Sequence, residues 1–435
     1  MSDAPPPHAA PSTGPGAGSG GGSGVGSGAG RLVALICTAQ VLAQIGAYAW
    51  PALLPEFIPH WNLDYSEAGW ITATFYLAYM LSVPILVTLT DRIDPHRVYL
   101  FGVAYTIVGH LMFAYLANGF WSATFARTIA GIGWAGTYMT GLKLLADRVD
   151  GKWLSRAVTG HAAGLGISSA LSFVIAGALA DIWGWRSAFI VAAACAGGAW
   201  MIAALFAPKQ PPRSSADGTD GWSWALFDFR PVFRNRSAMA YSIGYCFHTW
   251  EMGAMRGWAV AFLAYVALRD GVETVYFGPT VMVAAMALFG TWASVGGNEL
   301  SIRLGRRRLI RLAMAGSMLC AVAMGFLGSF NYPLAAGLVV LYGCVIWLDS
   351  SSLTAGAAGS ADSKRRGATL AMHSMLGYGG GFVGPIMVGW MLDLAGGPSH
   401  IAWGLAFGHI AIAMLAARIA FTWLRPKGLE GDKPG

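Results

Sequence analysis

Charge is what this 435-residue chain has least of: 28 Lys/Arg and 21 Asp/Glu make up only 11% of it. Soluble domains carry about 25% charge, so a soluble globular protein is excluded. Cysteine is also sparse. Cys37, Cys195, Cys246, Cys320 and Cys344 all fall inside apolar stretches, and no C-x-x-C spacing occurs. That argues against a disulfide framework or a zinc site and points to small core residues. No H-E-x-x-H, Walker A or G-x-S-x-G pattern is present, so neither an enzyme nor an ATP-driven pump is expected, and no cofactor. Period-2 alternation with a lipid-facing band is missing, which removes a membrane β-barrel. A positive n-region with a compact apolar h-region is also missing from the start, so residues 1–30 do not read as a signal peptide.

What is present is apolar length. The chain is 55% hydrophobic with 59 glycines, and its mean hydropathy is +0.53. From Leu32 onward, apolar runs of about 20 residues, each long enough to cross a bilayer, alternate with short polar breaks. They predict spans at 32–56, 69–90, 98–117, 121–145, 158–180 and 186–207, then at 239–266, 279–300, 309–329, 333–356, 368–392 and 401–423. The expected architecture is an all-α membrane protein of twelve transmembrane helices in two six-helix pseudo-repeats. Residues 1–30, rich in Gly, Ser and Pro, read as a disordered tail. Residues 31–207 form the first bundle, 208–237 a linker, 238–425 the second bundle and 426–435 a second tail. Trp222–Phe229 in the linker suit either an interfacial helix or an ordinary aromatic-anchored connection.

The basic residues sort by side. Arg31, Arg92, Arg97, Arg148, Lys152, Arg156, Lys209, Arg213, Arg230, Arg234 and Arg236 lie at one set of connections. So do Arg303, Arg306, Arg307, Arg308, Arg311, Lys364, Arg365, Arg366, Arg418, Arg425, Lys427 and Lys433; the opposite set holds only Arg186 and Arg269. The positive-inside rule then predicts a multi-pass plasma (inner) membrane protein with both termini cytoplasmic. It also answers the net charge of +7: these are topology signals, so no nucleic-acid partner is expected.

The halves echo each other. Arg92 and Arg303 follow spans 2 and 8. His161, Gly177 and Asp181 of span 5 recur at constant offset as His373, Gly389 and Asp393 of span 11, as duplicated transporter halves do. Here the sequence resembles the major facilitator superfamily. Asp91-Arg-Ile-Asp-Pro-His-Arg97 matches the family's first loop pattern at Asp91, Arg92 and Arg97. Val87, Asp94 and His96 stand where Gly, Gly and a base are usual. Arg303, Gly305, Arg307 and Arg308 match in the second half, and Arg127-Thr-Ile-Ala-Gly131-Ile-Gly133 resembles the span-4 pattern. The string from His248 to Trp258 is similar to the cyanate-permease-like branch.

The resemblance implies alternating access, with spans 1, 4, 7 and 10 lining a central cavity and a gating role for Asp91, Arg92 and Arg303. An ionisable group at mid-membrane costs about 2.5–3.5 kcal/mol on insertion scales, so each one needs a reason. Arg127 and Arg256 are candidates for binding a carboxylate-like anion; the alternative for Arg127 is helix contact or proton transfer. His248 and Glu251, three residues apart, are candidates for proton coupling; the alternative for Glu251 is an ion pair with Arg127 or Arg256. Lys143 either snorkels or pairs with Asp349 at an inner gate. Asp349 has two further readings, substrate binding and a charge facing water. Glu299 is expected to pair with the Arg303–Arg311 cluster. Gln40, Gln44, Tyr48, Trp134, Tyr138 and Tyr245 either contact substrate or pack between helices. The expected function is proton-coupled uptake (symport) of a small organic anion by a monomer in the lipid bilayer. The alternative is proton-driven efflux of a drug or metabolite, which the absence of proline between Gly164 and Gly177 makes weaker.

Overall fold

The computed structural model describes residues 22–90, 92–209, 229–272, 277–362, 365–429 and 432. Asp91 and linker residues 222–228 lie outside them, so of the Trp222–Phe229 stretch only Phe229 is described. Among the described residues there is no strand, and every expected span is helical. Span 1 comprises α1 (Gly22–Gln44), α2 (Ala49–Ala52) and α3 (Leu54–His60). Spans 2 and 3 are α4 (Tyr65–Leu89) and α5 (Pro95–Leu116). Span 4 is α6 (Phe120–Ala135) with α7 (Tyr138–Ala146), and spans 5 and 6 are α8 (Gly151–Trp183) and α9 (Trp185–Phe206). After the short α10 (Arg230–Arg234), spans 7 to 9 are α11 (Arg236–Asp270), α12 (Pro279–Leu304) and α13 (Arg306–Phe326). Span 10 is α14 (Tyr332–Trp347) with α15 (Ser350–Gly359), and α16 (Arg366–Leu394) and α17 (His400–Leu424) are spans 11 and 12.

The helix starts are written in the sequence. Asp64 and Glu67 form a reciprocal capping box at α4. Asn235, Asn331 and Ser399 accept from Ala238, Leu334 and Ala402 at the starts of α11, α14 and α17. Pro95 and Pro279 occupy first-turn positions, where no amide donor is needed.

Two boundaries differ from expectation. Helix α1 begins at Gly22, inside the segment read as a tail, and span 1 breaks at 45–48. Spans 4 and 10 break too, at Gly136-Thr137 and Leu348-Asp349. Among the described residues, nine helical segments are long and apolar enough to cross a membrane, and spans 1, 4 and 7 are not among them. Span 7 is long but carries Glu251 and Arg256. Spans 1 and 4 fall short because their breaks leave shorter helices, Gly28–Gln44 being apolar but only 17 residues long. The five cysteines are half-buried thiols rather than buried core residues.

The helices alternate in direction, so one face collects the basic ends and the other is nearly free of them. The tight contacts between halves run from that second face to mid-membrane. Asp393 of α16 accepts from the Tyr65 and Ser66 amides at 3.0 and 2.7 Å, capping the start of α4 across the halves. Gly389 packs on the Tyr65 carbonyl and Gly69 on that of Pro385, closer than any Cβ allows. Deeper, Tyr79 meets Tyr378 with ring centroids 3.8 Å apart. Spans 5 and 8 touch at Gly177–Thr280 and Gly166–Thr291.

Candidate functional site

The site is built around the three helix breaks. At the break in span 1, the Ala47 carbonyl has no helical donor. Arg127 of α6 supplies one, Nη1 to oxygen at 3.1 Å, and its guanidinium lies 4.2 Å from the Phe75 ring centroid. Ser172 accepts from the Tyr48 amide at 2.9 Å, and Ser168 donates to Gln44 at 3.3 Å. Side chains of spans 4 and 5 thus satisfy a backbone that lipid cannot. This geometry turns Gln44 toward α8. Gln40 is fully buried, and neither amide atom has a partner.

Arg256 of α11 reaches across the halves. Its Nη1 donates to the Tyr48 hydroxyl at 2.6 Å. The guanidinium also lies 4.9 Å from the Tyr48 ring centroid and 4.8 Å from that of Trp347. Arg256 is 2% exposed, and its Nε and Nη2 have no partner. Among the described residues, neither Arg127 nor Arg256 has a carboxylate within ion-pair distance. Both guanidiniums act electrostatically on Tyr76, so two uncompensated positive charges share one region.

His248 turns to a partner other than the one expected. Its Nδ1 sits 3.0 Å from Asp349 Oδ1, with both side chains buried. Asp349 starts α15 but makes no capping bond, because its carboxylate faces span 7. Glu251, one turn further along α11, faces Tyr342 and Ser317 of spans 10 and 9. It is 1% exposed and its Oε1 has no hydrogen bond. The structure pairs Glu251 with neither His248 nor either arginine among the described residues.

Aromatic rings cluster around the repeat-related histidines. Tyr245 stacks on His373 at 4.2 Å and on His248 at 5.5 Å. In the other half Tyr138 stacks on His161 at 5.3 Å, and the His161 ring bonds the Tyr138 carbonyl. Trp134 is buried between Phe75 and Tyr79. Tyr138, Tyr245 and Trp347 remain half-buried. The repeat-related His161 and His373 therefore each back a half-buried tyrosine. Their constant offset in the sequence is the signal for this shared placement.

The expected gate residues sit apart from this cluster. Lys143 Nζ lies 3.3 Å from Asp147, one turn away on its own side of the molecule. Arg303 pairs with Glu299 at 2.9 Å on the exposed surface of α12. The arginine of that motif that is buried is Arg306, which binds Asp432 at 3.0 and 3.1 Å and the Ser352 carbonyl. The first half has a buried ion pair of its own, Asp94 with Arg148 at 2.7 Å, although Asp94 stands at the motif position of Gly305. Arg92, between spans 2 and 3, is exposed.

Two helical halves meet at broken spans, with unpaired charge buried between them, as in a polytopic membrane protein built by duplication. The chain belongs to the Major Facilitator Superfamily, whose family model matches residues 36–385. It is 23% identical over 309 residues to Protein spinster homolog 3 of Danio rerio, covering 67% of this chain and 60% of that one. To Protein spinster homolog 1 of Homo sapiens it is 24% identical, with 68% and 58% covered. The chain thus spans about 60% of the length of these curated relatives. Among solved structures, a bacterial homologue of the human lysosomal transporter Spinster, inward-facing and unoccupied, superposes with TM-score 0.70. Identity is 15%, covering 93% of this chain and 96% of that one. The nucleoside transporter NupG gives 0.71 at 14% identity, with 91% and 100% covered. These likenesses show the fold.

Proposed function

We propose that this chain is a proton-coupled transporter of a small organic anion, bound at Arg256 beneath the break in span 1, with its basic face in the cytoplasm. One observation carries the reading: Arg256 is a buried guanidinium with two nitrogens unsatisfied and no carboxylate beside it. Burying an unpaired charge costs several kcal/mol. A bound anion removes that cost, and the fork geometry suits a carboxylate held bidentately. Arg127 adds charge while holding the break that presents Tyr48. The half-buried Tyr138, Tyr245 and Trp347 would receive the organic part of the substrate.

Protons would enter through the C-terminal half. His248 with Asp349, and Glu251 with no cationic partner, are buried groups that can exchange a proton without dismantling the halves. Glu251→Gln is expected to abolish proton-driven accumulation while leaving substrate exchange intact.

The test is a thermal-shift screen of small carboxylates on purified protein, repeated with Arg256→Gln. Carboxylates that stabilise the native protein should lose their effect in the variant. Equal stabilisation of both proteins would remove Arg256 from the site. The aromatic lining favours a second reading, proton-driven efflux of a flatter, more apolar compound. Transport direction in vesicles under an imposed pH gradient separates the two.

A further inference from the structure

On the basic face, the ends of α11 and α17 enclose a groove of about 800 Å³. Arg236, at the start of α11, lies 20 positions before Arg256, and Arg256 is not among the residues lining the groove. Arg236, Arg418, Arg425 and Lys427 line it, with no acidic residue among its lining. The described acidic residue of the nearby tail, Asp432, is committed to Arg306. Four like charges converging without a counterion among the described residues repel one another, so the groove is complementary to an anion.

The lower wall says which kind. Leu415 and Ile419, one turn apart on α17, are 47% and 60% exposed and continue the groove along the helix. On a membrane-spanning helix that surface faces acyl chains. Trp423, 70% exposed, stands at the level where aromatic belts meet headgroups, and the Arg236 guanidinium lies 5.3 Å from its ring centroid. A free phosphate would have no use for the apolar strip, whereas a phospholipid fills both parts.

The groove is also held in shape. Arg236 donates to the Trp423 carbonyl at 3.2 Å, and Arg418 donates to the Arg311 carbonyl. The Lys427 amide donates to Ser237 at 3.0 Å, and its carbonyl accepts from Tyr241 at 2.9 Å. The chain after α17 therefore folds back against α11 and fixes Lys427 at the rim. We propose that this groove binds one anionic glycerophospholipid, headgroup on the four basic side chains and acyl chain along Leu415 and Ile419. Basic pockets between membrane helices at the cytoplasmic level recognise such headgroups through phosphate contacts.

The experiment is thermal unfolding of the detergent-purified full chain with short-chain phosphatidylglycerol, phosphatidylcholine of the same chain length, or glycerol 3-phosphate. Phosphatidylglycerol should raise the midpoint by several degrees and the other two should not. The shift should vanish in Arg236→Gln/Arg425→Gln/Lys427→Gln and survive in the charge-matched control Arg31→Gln/Arg186→Gln/Arg308→Gln. Equal effects of phosphatidylcholine or of glycerol 3-phosphate, or a shift retained by the first variant, overturn the proposal. So does a shift lost equally in the control, which would reduce it to net charge. If the first variant does not fold, a photoreactive phosphatidylglycerol on the unmodified chain decides. Adducts on residues 411–427 are expected, and adducts only elsewhere refute the site.

Discussion

At the residue scale, the chemistry turns on which buried polar atoms are satisfied. Tyr48 gives Arg256 its one hydrogen bond among the described residues. A bond to a charged group is worth about 1.5–3 kcal/mol net. Tyr48→Phe should therefore lower the thermal midpoint of the ligand-free protein, read by the same unfolding assay. A variant as stable as the parent would mean that ring contacts alone hold the guanidinium. His248 and Asp349 make the companion case. Each group buried without the other is unfavourable, so Asp349→Asn and His248→Gln should not add. A double-mutant cycle is expected to show a coupling of about 0.5–3 kcal/mol. A coupling indistinguishable from zero would say that their 3.0 Å approach carries no energy.

At the element scale, the broken spans are the main departure from what could be read in advance. Twelve apolar runs were legible because lipid demands length and hydropathy everywhere. The breaks were not, because a break is permitted only where a neighbour supplies the missing partner, and Arg127 meeting Ala47 is a contact between residues 80 positions apart. The charged residues worth attention were legible, since few charges lie within spans. Their partners were not. The spacing of His248 and Glu251 on one face suggested a pair, yet the break in span 10 brings Asp349 to His248 and leaves Glu251 to Tyr342 and Ser317. Asp393 was visible only as a repeat of Asp181. Its task, capping α4 from the other half, depends on packing that no local pattern encodes. Asp181 shows no such bond among the described residues, so the two halves are not used alike. A carboxylate at a helix start gains from both the free amides and the helix dipole. Asp393→Asn keeps one acceptor oxygen but loses the charge. It should loosen the contact and raise the labelling rate of a cysteine placed at Ser66 in a cysteine-free background. Labelling as slow as with Asp393 intact would show that the glycine contacts alone keep this face shut.

At the scale of the whole molecule, two kinds of tie divide the work. Within each half, buried ion pairs clamp the basic face: Arg148 to Asp94 in the first and Arg306 to Asp432 in the second. Between halves, the contacts lie toward the opposite face, at Asp393, Gly389 and Gly69. Alternating access needs this division, because each half must stay rigid while the interface between them opens. Breaking the two kinds of tie should therefore have separable effects. Removing one partner of a buried pair costs about 3–5 kcal/mol, so Asp432→Asn should lower stability sharply. It should leave unchanged which side of the molecule a membrane-impermeant thiol reagent reaches. Asp393→Asn should do the reverse, with little lost stability and a shift of accessibility toward the opposite face. A cysteine at Lys143, near the basic ends, should react from the basic side in the unmodified background and less so when Asp393 is replaced. If Asp432→Asn changed sidedness as much as Asp393→Asn does, the clamp within the second half would belong to the gate, and the halves would not move as rigid bodies.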